Sequence, residues 1–344
     1  MKKQNVINLV KYYVEKNDEA FRTEVVEIAR YFEKNEEYSI SEYLMDLIST
    51  TNYYVPQASY KNFVYLKKTN YSNKPLLLPD AIKNDILGLV RAITKNMGIN
   101  KILFYGSPGS GKTESAYQIA RLLSRDVLTV DFEQLIDSRL GQTAKNISIL
   151  FDEISRVQSQ NVLILFDEID SIVLDRVNNN DLREMGRVTS TFLRELDDLN
   201  NDVVIIATTN LIDNFDKALL RRFDSKISFD RYSNEDLIEI ADALLLSFLK
   251  KTENTKQDIR LFNKILKNSR QLPYPGEMTQ LIKTAVAFAD TENEFDYLRN
   301  FYLSLNNNPA KINIQELQDM GYTTREIEIL TKIPKSSVSR KLKV

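Results

Sequence analysis

Three of the nine glycines in this chain fall within six residues, at Gly106, Gly109 and Gly111. The segment that contains them, residues 106–113, fits the pattern G-x-x-x-x-G-K-[ST]. Glycines let successive backbone N–H groups curl around phosphate oxygens at the start of a helix. An apolar run precedes the segment and a helical pattern follows it, as the pattern requires. The chain is therefore predicted to hold a phosphate-binding loop between a strand and a helix.

All eight residues of this loop are candidates for nucleotide binding. Lys112 would place a cation on the β- and γ-phosphates of a nucleotide, and the hydroxyl of Thr113 would take Mg²⁺. The predicted set is Gly106, Ser107, Pro108, Gly109, Ser110, Gly111, Lys112 and Thr113.

Short apolar runs alternate with helical patterns in the middle of the chain. They cover residues 102–105, 127–130, 162–166 and 203–207. Strand, helix and strand at this spacing are typical of a parallel sheet with crossover helices, so the predicted fold class is α/β. Residues 1–49 and 234–290 have helical patterns.

The residue types that the chain lacks restrict its chemistry. With no Cys and no His, it has no disulfide, thiol nucleophile, Ser-His triad or His-ligated metal. Its 46 Lys and Arg nearly balance 48 Asp and Glu, so no global charge excess indicates a polyanionic partner. The longest apolar runs, such as residues 162–166, are far shorter than the ~20 residues of a membrane helix. We expect a cytoplasmic protein with no membrane partner.

Two carboxylates follow the apolar run at residues 162–166. The carboxyl end of a parallel strand faces the ligand crevice, so Asp167 would hold the Mg²⁺ shell there. Glu168 would orient and deprotonate an attacking water, and in a chain without His it is the leading candidate base. Because this acidic pair follows the phosphate loop in the chain, the two motifs together strongly indicate a nucleotide site.

Two later segments add polar candidates. Two threonines and then Asn210 follow the apolar run at 203–207. Asn210 would either reach the γ-phosphate or the water, or cap the next turn. Arg221 and Arg222 follow an apolar pair and would either end a solvated helix or neutralise charge in a phosphoryl-transfer transition state.

The order of these motifs resembles the AAA ATPase family over roughly residues 77–290. The resemblance implies ATP and Mg²⁺ as cofactors, a P-loop parallel sheet with a helical lid, and a hexameric ring with nucleotide at the subunit interfaces. It implies that Asn210 is a polar sensor and that Arg221 and Arg222 act in trans on the neighbouring subunit's nucleotide. Many relatives separate their two arginines, whereas these are adjacent. Which of the two acts is left open.

Residues 139–141 resemble the family's pore loop. Unfolding members carry an aromatic residue before the hydrophobic-Gly pair, and here Arg139 precedes Leu140 and Gly141. An aromatic ring grips a peptide side chain by apolar burial, which an arginine does less well. A polyanionic substrate is the alternative to a threaded polypeptide.

The last 24 residues are locally basic. They hold six Lys and Arg against two Glu, a net charge of +4. A capping box at Thr323 and Glu326, a turn at Pro334 and a Ser-rich second helix resemble a helix-turn-helix. A basic hairpin that packs on a neighbour or a partner is the alternative. The candidate DNA contacts are Lys335, Ser336, Ser337, Ser339, Arg340, Lys341 and Lys343.

This layout predicts five parts. They are an N-terminal helical domain at 1–50, a linker at 51–76, the α/β core at 77–230, a helical lid at 231–305 and the helix-turn-helix-like tail at 312–344. The whole resembles single-ring AAA proteins of bacteria and their mobile elements.

Two functions from different classes remain. One is an ATP-driven ring that remodels a protein partner and delivers it to a protease, for which a subtilisin-like enzyme is one candidate. The other is a DNA-bound regulatory or transposition-type ATPase whose assembly is switched by ATP.

Overall fold

The computed structural model describes the greater part of the chain in separate stretches. These are residues 3–15, 17–35, 37–38, 40–41, 44–45, 63–70, 76–136, 141–157, 160–170, 182–252, 255–290, 292–306 and 312–342. The chain divides into two compact units, residues 1–62 and 63–344.

The first unit contains helix α1, Lys3–Val14, and helix α2, Asp18–Lys34. Asn17 caps α2, because its side-chain oxygen accepts a hydrogen bond from the backbone N–H of Ala20 at 3.2 Å. The buried apolar residues of α2, Val25, Ile28 and Ala29, recur at helical spacing. The predicted helical pattern is confirmed for this stretch.

A six-stranded sheet forms the centre of the second unit, in the order β1-β3-β4-β5-β2-β6. All neighbours are parallel except β1 and β3, so the predicted parallel sheet is confirmed. Every residue of β4 and β5 is buried, which explains the uninterrupted apolar sequence of β4 and the apolar first four residues of β5. The strands are β1 Leu66–Lys68, β2 Lys101–Tyr105, β3 Asp126–Val130, β4 Val162–Phe166, β5 Val204–Thr209 and β6 Ser225–Ser228.

Strand β1 corrects the predicted linker at 51–76, because part of that segment belongs to the sheet. Its three residues pair antiparallel with β3 at the sheet edge. The backbone N–H groups of Val64 and Tyr65 donate to the carboxylate of Glu153 at 2.6 and 3.1 Å. Three residues are too few to show a strand period in the sequence, and contacts distant in the chain hold this strand.

Helices cover the sheet and connect its strands. The core beneath them is formed by apolar residues of the helices and strands, such as Ile82, Phe104, Ile119 and Phe229. The helices are α3 Asp80–Thr94, α4 Lys112–Leu122, α5 Phe132–Leu135, α6 Gln142–Ser155, α7 Leu182–Asp198 and α8 Lys217–Leu220.

The remaining helices share one hydrophobic core. Ile327, Leu330 and Val338 from the predicted tail are fully buried in the same cluster as Phe262 and Phe301 from the predicted lid. The described part of the tail is therefore packed onto the lid. The helices are α9 Asn234–Leu249, α10 Ile259–Lys267, α11 Pro275–Ala287, α12 Asp296–Leu305, α13 Ile314–Asp319, α14 Thr324–Thr331 and α15 Lys335–Lys341.

Two reciprocal ion pairs reinforce this packing. Lys264 of α10 donates to Glu326 of α14 at 2.6 Å, and Lys332, after α14, pairs with Asp296 of α12 at 2.9 Å. Thr323 and Glu326 form the capping box that the sequence predicts. No helix in the described parts of the chain is long and apolar enough to cross a membrane.

Candidate active site

The carboxyl ends of three adjacent parallel strands converge at one edge of the sheet. The loop that starts at Gly106 follows β2, Asp167 and Glu168 follow β4, and Asn210 follows β5. Parallel strands end at the same edge, so residues far apart in sequence meet here. A cleft of about 320 Å³ opens at this edge. Its lining is Leu76, Pro108, Gly109, Gly111, Lys112, Thr113, Glu114, Glu168, Thr208, Asn210, Pro275, Gly276 and Thr279.

The loop backbone depends on glycine. Gly109 and Gly111 have φ angles of +72° and +96°, in the left-handed region that other residues rarely adopt. Gly111 is the N-cap of α4 and offers no side chain to the first N–H groups of that helix. These N–H groups are therefore donors for an anion, and the helix dipole favours negative charge at the same end.

The ammonium group of Lys112 is held inside the loop. Its Nζ donates to the carbonyl oxygens of Gly106 and Ser107 at 2.8 and 2.9 Å, and to Oδ1 of Asn210 at 2.8 Å. Burial lowers the pKa of Lys112 below its ordinary 10.5, although nearby carboxylates, Asp230 foremost, act in the opposite direction. A phosphate group in the cleft would supply a further charge partner for this buried cation.

Asp167 joins the loop to the centre of the sheet. The hydroxyl of Thr113 donates to Oδ1 of Asp167 at 2.8 Å, and the hydroxyl of Thr208 donates to the same oxygen at 2.7 Å. The backbone N–H of Glu168 donates to the hydroxyl oxygen of Thr208 at 2.9 Å. The exposed Glu168 lines the cleft beside this network.

These oxygen atoms suit a hard cation. The described residues contain no group of three or more acidic residues that would hold a metal by itself. Mg²⁺ is usually bound through one or two protein ligands together with phosphate oxygens and water. Thr113 and Asp167, in contact at the cleft, fit that requirement.

Three hydrogen bonds outside the predicted site support the loop. Oδ1 of Asp230 accepts the N–H of Ser107 at 2.7 Å, and the hydroxyl of Tyr232 donates to the carbonyl of Ser110 at 2.7 Å. The N–H of Gly276 in α11 donates to the carbonyl of Gly109 at 2.8 Å.

Sequence reasoning assigned no role to Asp230, Tyr232 or Thr208. Asp230 and Tyr232 lie more than 120 positions after the loop residues that they contact, and no local pattern marks them. Thr208 is the first of the two threonines that precede Asn210, and its place near the end of a predicted strand was the available signal.

The two candidate arginines differ in their surroundings. Arg222 pairs with the carboxylate of Asp197 in α7 at 3.0 Å and donates to the carbonyl of Ala218 at 2.8 Å. Arg221 is exposed and makes no salt bridge with any described residue. The lining of the cleft includes neither arginine.

The remaining candidates that the structure describes do not line the cleft. Arg139 and Leu140 of the predicted pore loop fall outside the described residues, and Gly141 is the left-handed N-cap of α6. In the tail, Lys335, Ser336, Arg340 and Lys341 are exposed, whereas Ser337 and Ser339 are half-buried. Lys343 lies outside the described residues.

Known proteins are similar in sequence to this region. Residues 102–231 match the family described as "ATPase family associated with various cellular activities (AAA)". An uncharacterized AAA family ATPase of Sinorhizobium fredii is 33% identical over 184 residues, 51% of this chain and 54% of that protein. A putative 26S proteasome regulatory subunit homolog of Methanothermobacter thermautotrophicus is 30% identical over 194 residues, 56% of this chain and 50% of that protein. The chain thus spans about half the length of these relatives.

A solved structure shows the same fold. The crystal structure of the FIGL-1 AAA domain covers 79% of this chain and 95% of its own, with a TM-score of 0.55 and 16% identity.

Proposed function

We propose that the chain hydrolyses ATP to ADP and phosphate in the cleft beside its phosphate loop, because residues 102–231 match the AAA ATPase family. One observation carries the proposal: hydrogen bonds join Lys112 to Asn210 and Thr113 to Asp167 across three strand ends. Cation, hydroxyl, carboxylate and amide thereby surround one space.

The loop would bind the nucleotide and orient its phosphates. The N–H groups at the start of α4 and the ammonium of Lys112 would bind the phosphate oxygens, while Thr113 and Asp167 would hold Mg²⁺. The bound Mg²⁺ supplies neutralisation of charge on the β- and γ-phosphate oxygens. Burial strengthens each of these electrostatic contacts.

Glu168 would activate the attacking water. Its carboxylate accepts a proton as the water oxygen forms a bond to the γ-phosphorus, and the bond to the β,γ-bridging oxygen breaks with ADP leaving. Asn210, which follows the adjacent strand and lines the cleft, would hydrogen-bond the γ-phosphate or the water.

We propose that the complete site needs a second copy of the chain. Arg221 is exposed, lies outside the cleft lining and makes no salt bridge with a described residue, whereas Asp197 retains Arg222 within its own subunit. A ring, with six copies as the family resemblance implies, would bring Arg221 to the γ-phosphate of the neighbour. Arg221 is therefore our candidate for the trans-acting arginine.

A protein is the proposed substrate of this ring. The similarity to a putative 26S proteasome regulatory subunit homolog supports remodelling of a protein partner. Delivery to a protease, with a subtilisin-like enzyme as one candidate, follows from the same proposal. Arg139, Leu140 and Gly141 would be the residues that contact the substrate.

DNA is the second candidate partner, because the tail displays unpaired basic residues. Arg325, Lys335, Arg340 and Lys341 are exposed and make no salt bridge with a described residue. Basic side chains contact DNA phosphates and position a protein on the duplex. One copy offers few phosphate contacts, so we expect weak and strongly salt-dependent binding that a ring strengthens by avidity.

The ATPase proposal is tested by phosphate release from the purified full-length chain. We expect release that requires Mg²⁺, stops on addition of EDTA and is lost in Lys112→Ala together with nucleotide binding. Release by Lys112→Ala at the wild-type rate would overturn the proposal. Adding unfolded protein, single-stranded DNA or duplex DNA to the same assay identifies the partner class by which of them stimulates hydrolysis.

A salt titration of DNA affinity tests the tail separately. The full-length chain is compared with a quadruple variant in which Arg325, Lys335, Arg340 and Lys341 are replaced by Gln. The four side chains are exposed, so the variant is expected to keep the fold and lose most of the affinity. Equal affinity of the two proteins would remove DNA as a partner of the tail.

A further inference from the structure

Thr208 occupies the last but one position of β5, next to the end of β4. Its side chain is 1% exposed, and its hydroxyl makes two hydrogen bonds of opposite sense. It donates to Oδ1 of Asp167 at 2.7 Å and accepts the N–H of Glu168 at 2.9 Å. One hydroxyl therefore contacts both members of the acidic pair.

The backbone at this point has an unusual conformation. Glu168 has a φ angle of +53°, in the left-handed region where a residue with a Cβ is disfavoured by about 1–2 kcal/mol. The N–H of the next residue, Ile169, donates to the carbonyl oxygen of Thr208 at 3.0 Å. Side chain and main chain of Thr208 together hold the turn that directs the Glu168 carboxylate into the cleft.

The contact with Asp167 has a second donor, Thr113, whose hydroxyl reaches the same oxygen at 2.8 Å. Oδ1 of Asp167 is therefore fixed by one hydroxyl from the phosphate loop and one from β5.

We propose that Thr208 is a positioning residue for ATP hydrolysis, which orients the Asp167 carboxylate for Mg²⁺ and the Glu168 carboxylate for the attacking water. This inference rests on the proposed ATPase function. Thr208 transfers no proton itself and acts through the two acidic residues.

The neighbouring residue provides a matched control. Thr209 is also fully buried in β5, but its hydroxyl oxygen accepts the N–H of Leu211 at 3.0 Å and contacts neither acidic residue in the described contacts. Thr209→Val therefore removes a buried hydroxyl from the same strand without removing the contact with Asp167 and Glu168.

The test compares Thr208→Val, Thr208→Ser and Thr209→Val in the full-length chain. A displacement of about 1 Å at a reacting group costs about 10²-fold in rate, so we expect Thr208→Val to lower kcat by about that factor. KM for ATP should stay close to the wild-type value, since the phosphate loop is unchanged. The Mg²⁺ concentration for half-maximal activity should rise by about tenfold, as for other groups that support a metal ligand.

The two remaining variants separate positioning from stability. Thr208→Ser keeps the hydroxyl and should restore kcat to within about threefold of the wild type, whereas Thr209→Val should lower the melting temperature but not kcat. Wild-type kcat in Thr208→Val, or an equal loss of kcat in Thr209→Val, would overturn the proposal. If Thr208→Val does not fold, Thr208→Ala against Thr208→Ser makes the same comparison.

Failure of the ATPase proposal would be recognisable. The wild-type chain would then release no phosphate. The role of Thr208 would instead be tested by the Mg²⁺ dependence of ATP binding. Unchanged Mg²⁺ dependence of binding in Thr208→Val would count against its role in positioning Asp167.

Discussion

At the scale of single residues, Arg221 and Arg222 show how adjacent side chains of one type acquire different roles. Arg222 pairs with the carboxylate of Asp197 in α7, so this contact lies within one subunit. Arg221 is exposed and follows α8 directly. The difference assigns the structural contact to Arg222 and the proposed trans contact to Arg221.

Arg222→Ala should therefore change mainly the stability, and Arg221→Ala mainly the ATPase rate. Arg222→Ala should lower the free energy of unfolding by about 1 kcal/mol or less, as expected for a partly exposed ion pair. Arg221→Ala should leave the melting temperature unchanged and lower the ATPase rate by about 10³-fold or more. Thermal melting and phosphate release measure the two effects.

Asp197→Ala is the matched control for this pair. It should reproduce the stability change of Arg222→Ala and leave Arg221 in place. An ATPase rate that falls only in Arg222→Ala would show that the finger assignment is wrong.

At the scale of elements, the backbone of helix α11 lies so close to the backbone of the phosphate loop that no side chain fits between them. The N–H of Gly276 donates to the carbonyl of Gly109 at 2.8 Å, and a Cβ built on Gly276 would lie 2.8 Å from the Cα of Gly109. Such an approach between two backbones needs glycine at position 276. The loop is thus attached to the lid by a direct main-chain contact.

Gly276→Ala should separate the lid from the loop. We expect nucleotide affinity to fall by about tenfold, since the change is comparable to the loss of a hydrogen bond with its supporting contacts. Gly88→Ala is the control, because a Cβ at Gly88 meets no atom within 4 Å. A fluorescent ATP analogue titrated against both variants measures the affinity, and equal values for the two would contradict this account of the lid.

The attachment of the tail to the lid should depend on pH. Burial acts to raise the pKa of Glu326, but the hydrogen bonds from Lys264 and Thr323 outweigh it and hold that pKa below its ordinary 4.5. A carboxylate with a lowered pKa in the folded state stabilises it above pH 4.5, and this stability is lost as the pH falls through the folded pKa. Protection of the N–H groups of Ile327 and Leu330 against hydrogen exchange, relative to the rate of an unstructured chain at the same pH, should fall on acidification below pH 4.5.

Glu326→Gln provides the comparison for this pH dependence. It lacks the titrating group, so its protection should be weaker at neutral pH and should change less on acidification. An equal loss of protection in both proteins would assign the effect to another group, with Asp296 as the next candidate because its pKa is also lowered.

At the scale of the whole molecule, the parts that the sequence predicts are those that depend on residues close together in the chain. The phosphate loop is recognisable because Gly109 and Gly111 must stand where the backbone has a positive φ angle. The buried strands β4 and β5 are recognisable from their continuous apolar runs. Strand β1 and the supporting residues Asp230 and Tyr232 are not, because distant partners in the chain create their roles.

The tail shows the same limit. The capping box at Thr323 and Glu326 is visible in four residues of sequence, and the structure confirms it. The placement of the tail on the lid is not visible, because it depends on Lys264 and on apolar residues that lie far away in the sequence.

The proposed ring makes a prediction about mixed assemblies. Arg221→Ala supplies an intact phosphate loop but no trans arginine, and Lys112→Ala supplies the arginine but no working loop. Mixing the two inactive proteins should restore part of the ATPase rate, because some interfaces combine both intact halves. No recovery at any ratio, in assemblies shown to exchange subunits, would count against a shared site.

The most direct test of the account is ATP binding and turnover in Glu168→Gln, measured on the same preparation. The amide keeps the shape of the side chain but cannot accept the proton from water. We predict ATP affinity close to that of the wild type and phosphate release reduced by at least about 10²-fold. Phosphate release at the wild-type rate would contradict the assignment of Glu168 as the base, and with it the mechanism proposed for this cleft.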